Sequence, residues 1–207
     1  MQTEISLKPW GSEYVLYENK DIAIWHLSIA PGQSTSLHSH PNKKTGLVVI
    51  GGEAQVSFLT DNKLVNAGEK IMIREGVFHK STNETGSYLN LLEVETPVDK
   101  ADLLRLEDNY GREGKEYKHE IGDVINIPEI NKSTISMYDC FLNKCRPESL
   151  NSVNVNFSYM ILNGGCYSKE GLCAAGPGDV LDQVTYPILR DRFSFVEGTS
   201  GWLVQKI

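Results

Sequence analysis

The sequence predicts an all-β protein, built as a sandwich or a barrel. Short runs rich in Val, Ile, Leu, Tyr and Phe recur along the chain, and Gly, Asn and Asp punctuate them at short intervals. The size fits as well: 207 residues, 40% hydrophobic and 23% charged, make one large domain or two small ones with a real core.

In chain order, strands are expected over 12–18, 22–29, 34–38, 46–51, 53–60, 64–66, 70–73, 79–83 and 88–95. Gly51-Gly52 reads as a tight hairpin, because glycine enters positive φ without a Cβ clash. Pro97 ends the last of these strands. Asp99 then supplies a helix start signal, and the apolar spacing after it predicts a short helix over 100–108. The polar stretch 111–122 reads as a linker between a first domain, 1–110, and a second β-rich domain, 123–207.

The second domain reads as a worn copy of the first. Tyr159-Met-Ile-Leu-Asn-Gly-Gly echoes Leu47-Val-Val-Ile-Gly-Gly, and Gly176-Pro-Gly-Asp-Val-Leu stands where Ala67-Gly-Glu-Lys-Ile-Met stands. By that alignment His38 and His40 correspond to Asn151 and Val153, and His79 to Leu189. The copy therefore carries no ligand set, and packing against the first barrel is its expected role.

A net charge of −7 leaves no basic field to attract nucleic acid or anionic lipid. No stretch approaches a membrane span, and the N-terminus lacks an apolar signal core, so the cytoplasm is expected. Cys140, Cys145, Cys166 and Cys173 show no zinc-knuckle spacing and read as reduced, mostly buried thiols.

Three of the five histidines form one pattern. Gly32 is followed after five residues by His38-Ser-His40, and Gly52 comes twelve positions later. Gly68 is followed after five residues by Arg74-Glu-Gly76, then His79, then Asn83. Alternate residues of a strand share a face, so His38 and His40 point the same way. A third imidazole, His79, from a neighbouring strand completes a facial triangle suited to Zn, Fe, Mn, Ni or Cu. A lone His-x-His pair is as readily a partly exposed strand feature; the second glycine-framed histidine favours metal binding. His26 and His119 lie outside the pattern.

These two stretches resemble the two cupin motifs. The resemblance implies a jelly-roll (double-stranded β-helix) barrel followed by a degenerate second cupin-like half, a bicupin-like chain. Two positions depart from the family: Arg74 replaces a proline, and Thr45 replaces the metal-ligating glutamate. Thr45 thereby becomes a possible fourth metal position, directly or through water.

A longer resemblance runs from Lys8 to Arg112. Lys8-Pro-Trp-Gly-Ser-Glu-Tyr, Leu92-Glu-Val-Glu-Thr-Pro and Asp102-Leu-Leu-Arg-Leu-Glu-Asp-Asn-Tyr-Gly-Arg are similar to the cupin domain of type II mannose-6-phosphate isomerases. Similar cupins stand alone in surface-polysaccharide pathways. The resemblance implies a metal-dependent isomerase or epimerase acting on a small phosphorylated or nucleotide-linked sugar, with divalent Zn, Mn, Ni or Fe, as a homodimer. It nominates Glu93, ahead of Glu95, as the base, and Arg105 and Arg112 as phosphate ligands. Lys44, just after the histidine pair, joins them at the barrel mouth. Plainer readings are a solvated turn for Lys43-Lys44 and a pair with Asp102 or Glu107 for Arg105. Two other functions compete. Three histidines without a carboxylate also suit a non-haem iron oxygenase, and the Thr45 departure suits a non-catalytic sugar or sugar-nucleotide binder.

Overall fold

The apolar runs become strands, and the strands stack as two β-sandwiches, in the computed structural model, which describes residues 2–115, 120–127, 130 and 134–207. The first half contains β1 (Gln2–Lys8), β2 (Gly11–Glu18), β3 (Ala23–Ile29), β4 (Leu37–Ser39), β5 (Lys44–Gly51) and β6 (Glu53–Phe58). It continues with β7 (Asn62–Asn66), β8 (Lys70–Ile73), β9 (His79–Thr82), β10 (Leu89–Thr96), β11 (Leu104–Glu107) and β12 (Glu120–Asn126). A seven-stranded sheet in the order β12-β1-β2-β3-β10-β5-β8 is joined by a five-stranded sheet in the order β11-β4-β9-β6-β7. Every strand expected between residues 12 and 95 overlaps an observed one.

Four expectations are corrected. Gly51-Gly52 is a corner rather than a hairpin: β5 lies in the seven-stranded sheet and β6 in the five-stranded one. Gly52 makes the corner possible with φ +81°, where a Cβ would be strained. The helix expected over 100–108 is a turn followed by β11. Asp99 caps that turn through Oδ1, which accepts from the Ala101 amide at 2.9 Å. The alternating Leu104-Arg105-Leu106-Glu107 then pairs with β4, and sheet pairing overrides the local helix signal. Two further strands, β1 and the edge strand β12, also break the expected pattern. β1 is polar and was not expected. The linker expected over 111–122 runs into β12, which pairs with β1.

The second half contains β13 (Ile135–Met137), β14 (Cys140–Cys145), β15 (Phe157–Asn163), β16 (Cys166–Tyr167) and β17 (Cys173–Ala175). After these come β18 (Val180–Asp182), helix α1 (Thr185–Arg192), β19 (Ser194–Phe195) and β20 (Ser200–Lys206). Its sheets run β13-β14-β20-β15-β18 and β17-β16-β19. The order β20-β15-β18 repeats β10-β5-β8, as the sequence echo requires. Asn151 falls in a 3-10 helix, Pro147–Ser152, and Leu189 falls in α1. The segments that carry histidines in the first half are therefore helical in the second. Cys140 and Cys166 are buried, as expected, whereas Cys145 is half-buried and Cys173 exposed; none is bonded.

The two halves share one core, in which Val48, Ile50, Leu92 and Val94 join Met160, Val180 and Trp202. This explains the unbroken apolar run 47–50 of β5: a stretch buried on both faces has no polar alternation to show. Gly46 has no side chain because Val180 fills that space. The opposite face of the same strands is free to carry polar groups into the first barrel.

Candidate metal centre

His38 on β4 lies directly opposite His79 on β9 and beside Arg105 on β11. His40 follows two residues on, and its carbonyl accepts from the Gly76 amide at 2.8 Å, which ties the two glycine-framed motifs together. The ring centroids of His38 lie 5.0 Å from His40 and 4.4 Å from His79. From the facing sheet, Glu93 on β10 reaches the same point. One donor atom from each of His38, His40, His79 and Glu93 lies within 4.8 Å of the others, and all four residues are buried.

Hydrogen bonds fix the imidazole tautomers. His38 Nδ1 donates to the Ser36 carbonyl (2.8 Å), His40 Nδ1 to the Asp102 carbonyl (2.6 Å) and His79 Nδ1 to the Val77 carbonyl (3.1 Å). A carbonyl only accepts, so each Nδ1 carries the proton and each Nε2 keeps a bare lone pair. The Nε2 atoms of His40 and His79 are buried without a hydrogen-bond partner. Burial is the main cause that lowers all three pKa values, His38 well below its usual value and His40 and His79 to about 4. Neutral imidazoles aimed at one point beside a carboxylate fit a divalent cation. Bonds of about 2.1 Å would draw the donors within about 4.2 Å of one another, so small rotations close the site.

Glu95, two residues beyond Glu93, faces the same way. Its Oε1 accepts from the buried Lys43 Nζ at 2.8 Å and lies 4.0 Å from His40 Nε2. Burial raises the pKa of Glu93 and is opposed by Lys100, 4.0 Å from its Oε2. A cavity of about 320 Å³ opens above the centre, lined by cations Lys8, Lys100, Arg105, Arg112 and Lys115 and by acids Glu13, Glu93 and Glu95. Lys100 Nζ lies 3.7 Å over the Trp25 ring and 3.6 Å from Glu13.

The structure thus brings together His38, His40, His79 and Glu93, with Arg105 and Arg112 at the cavity wall. Arg112 grips Asp108 with two of its nitrogens, Nη2 to Oδ1 at 2.6 Å and Nε to Oδ2 at 3.0 Å, so much of its fork is already engaged. Arg105 Nη1 donates to the Lys115 carbonyl at 2.5 Å. Thr45 lies opposite Glu95 in the β5–β10 register, and its hydroxyl is buried without a hydrogen-bond partner. Lys44 is a correction. Strand alternation sends Lys43 inward and Lys44 to the other face, where Nζ pairs with Asp179 at 2.8 Å. Lys100 and Glu13 were not nominated as site residues, and the pairing of Lys43 with Glu95 was not foreseen. Lys8 and Glu13 sit within the Lys8–Tyr14 motif, which signalled them; nothing in the sequence pattern marks Lys100.

A jelly-roll barrel with converging histidines on its inward face is a cupin. The family model described as mannose-6-phosphate isomerase C-terminal matches residues 2–108, just over half of the chain, and the chain belongs to that family. A mannose-1-phosphate guanylyltransferase of Salmonella typhimurium is 29% identical over 107 residues, 51% of this chain and 22% of that protein. Mannose-1-phosphate guanylyltransferase 2 of Escherichia coli O157:H7 is 31% identical over 113 residues, 55% of this chain and 22% of that protein. The matched stretch is thus about a fifth of each relative's length. Among solved structures, a double-stranded β-helix protein of Klebsiella pneumoniae shares 24% identity at a TM-score of 0.42, covering 45% of this chain and 82% of that one. His119 lies outside the described residues. Among the described residues, no second group of metal donors occurs, and no helix is long and apolar enough to cross a membrane.

Proposed function

We propose that the chain is a metal-dependent isomerase or epimerase acting on a phosphorylated or nucleotide-linked sugar in surface-polysaccharide synthesis. One observation carries this reading: four buried donors converge beside a cavity lined by five cationic side chains, Lys8, Lys100, Arg105, Arg112 and Lys115, together with Glu13, Glu93 and Glu95. The family match and the names of relatives, such as the xanthan biosynthesis protein XanB of Xanthomonas campestris, support the sugar chemistry and the pathway.

A bound divalent ion would polarise adjacent sugar oxygens. His38, His40 and His79 would hold it. Lys100, Arg105 and the free edge of Arg112 would receive the phosphate, because fixed cations bind phosphate oxygens through charge-assisted hydrogen bonds. A carboxylate of β10 would carry the proton between adjacent carbons: both Glu93 and Glu95 line the cavity. The oxygenase reading drew on a centre without a carboxylate, and the nearness of Glu93 to the three histidines favours the isomerase reading over it.

The test is deuterium incorporation. Mannose 6-phosphate and a panel of sugar phosphates and nucleotide sugars are incubated in D2O with Zn, Mn, Ni or Fe. Metal-dependent exchange at a sugar carbon is the expected result. Binding of a sugar without exchange would favour a non-catalytic binder, and iron-dependent oxygen uptake would favour the oxygenase.

A further inference from the structure

We infer that Glu93 is the fourth metal ligand, and that it supplies from β10 the carboxylate which position 45 of β5 no longer provides. The inference rests on the reading of the three histidines as a metal centre. Thr45 offers only a hydroxyl where the cupin pattern has a glutamate. Strand β10 lies next to β5, with Glu95 opposite Thr45 and Glu93 opposite Leu47. A carboxylate two residues along the neighbouring strand therefore enters the same interior from one strand away. Its oxygen lies within 4.8 Å of the donor atoms of all three histidines.

The other carboxylate on that face is differently engaged. Glu95 is held by the fully buried Lys43 ammonium at 2.8 Å, and a buried charge is strongly tied to its counter-ion. Among the described residues Glu93 has no such clamp: the cation paired with it, Lys100, stands 4.0 Å away and also pairs with Glu13. The two glutamates then divide the work. Glu93 restores the negative charge of a site that Thr45 left with three neutral imidazoles, and Glu95 remains as the proton carrier.

Cobalt titration of the whole chain, followed by visible absorption and calorimetry, tests this without any turnover. Wild type binds one cobalt; Glu93→Gln binds more than about tenfold more weakly, and adding Thr45→Glu to that variant restores affinity. A folded Glu93→Gln with wild-type affinity and spectrum overturns the inference. Failure of wild type itself to bind any metal sinks the metal-centre reading instead. Should Glu93→Gln not fold, Glu93→His decides: an imidazole in the shell shifts the cobalt spectrum, and an unchanged spectrum overturns the assignment.

Discussion

The Nδ1 of His40 lies 2.6 Å from the backbone carbonyl of Asp102, 62 positions further along the chain. That carbonyl is itself held in place. The Asp102 carboxylate accepts from the Asn42 amide and from Asn42 Nδ2, both at 2.9 Å. Burial works to raise the pKa of this carboxyl, but the two Asn42 hydrogen bonds, together with the charges of Lys43 and His40, leave the pKa below its usual range. A residue two positions after His40 thus anchors the turn that orients His40. Outer partners of metal-binding histidines set ring orientation and basicity. Asn42→Ala should weaken metal affinity by about 10–100-fold while leaving all three imidazoles in place. Calorimetric titration with cobalt or zinc measures it, and unchanged affinity would show that the turn holds without the clamp.

A pH dependence follows from His26, which is remote from the centre. It is buried between Tyr14 and Tyr138, with ring centroids 4.7 and 5.4 Å away. Burial lowers its pKa from 6.5 to about 4. Between those values the unfolded chain binds a proton here that the folded chain does not, so stability rises with pH. The contribution is complete above pH 6.5 and is lost as pH falls toward 4, at up to about 1.4 kcal/mol per pH unit for one proton. His26→Phe keeps an aromatic ring between the two tyrosines and removes the titrating group. Urea unfolding of metal-free protein between pH 7 and 4.5 should show a shallower decline for this variant, and parallel curves would refute the assignment.

The first barrel was legible because its signals are local. Glycines frame the two histidine motifs, alternation puts His38 and His40 on one face, and Pro97 stops β10 at Thr96. What escaped depends on pairing between distant segments. Leu104–Glu107 has the composition of a helix turn and becomes a strand only because β4 offers an open edge. Lys44 looked like a mouth residue until the second half placed Asp179 against it. Glu93 was nominated as a base by alignment, but its convergence with three histidines belongs to the facing of two sheets, which no local pattern encodes.

The contact between halves is testable at Gly46. A Cβ there would stand 2.7 Å from Val180 Cγ2 and 3.1 Å from Met72 Sδ. Overpacking of this kind costs about 1–3 kcal/mol. Gly46→Ala should lower the unfolding midpoint accordingly, and Val180→Ala, mildly destabilising alone, should recover part of the loss when combined with it. A double-mutant cycle reads the coupling directly. Purely additive effects would mean that the two halves do not meet at this point.

Lys44 and Lys100 make the last pair of opposed expectations, because the sequence nominated the first and the structure favours the second. The Lys44–Asp179 pair is partly exposed, with 28% and 27% of each side chain accessible, on the face turned away from the cavity. Lys44→Ala should therefore cost less than about 1 kcal/mol of stability and leave sugar-phosphate binding unchanged. Lys100 lines the cavity near Glu13 and Glu93 and covers the Trp25 ring. Lys100→Met keeps the length of the side chain and removes its charge. Losing a charged hydrogen-bond donor to phosphate weakens binding by about tenfold or more. Binding of a sugar phosphate to both variants, followed by calorimetry and by indole fluorescence, separates the two positions. A loss on Lys44→Ala with none on Lys100→Met would move the phosphate site to the junction with the second half, where Asp179 would have to yield its lysine.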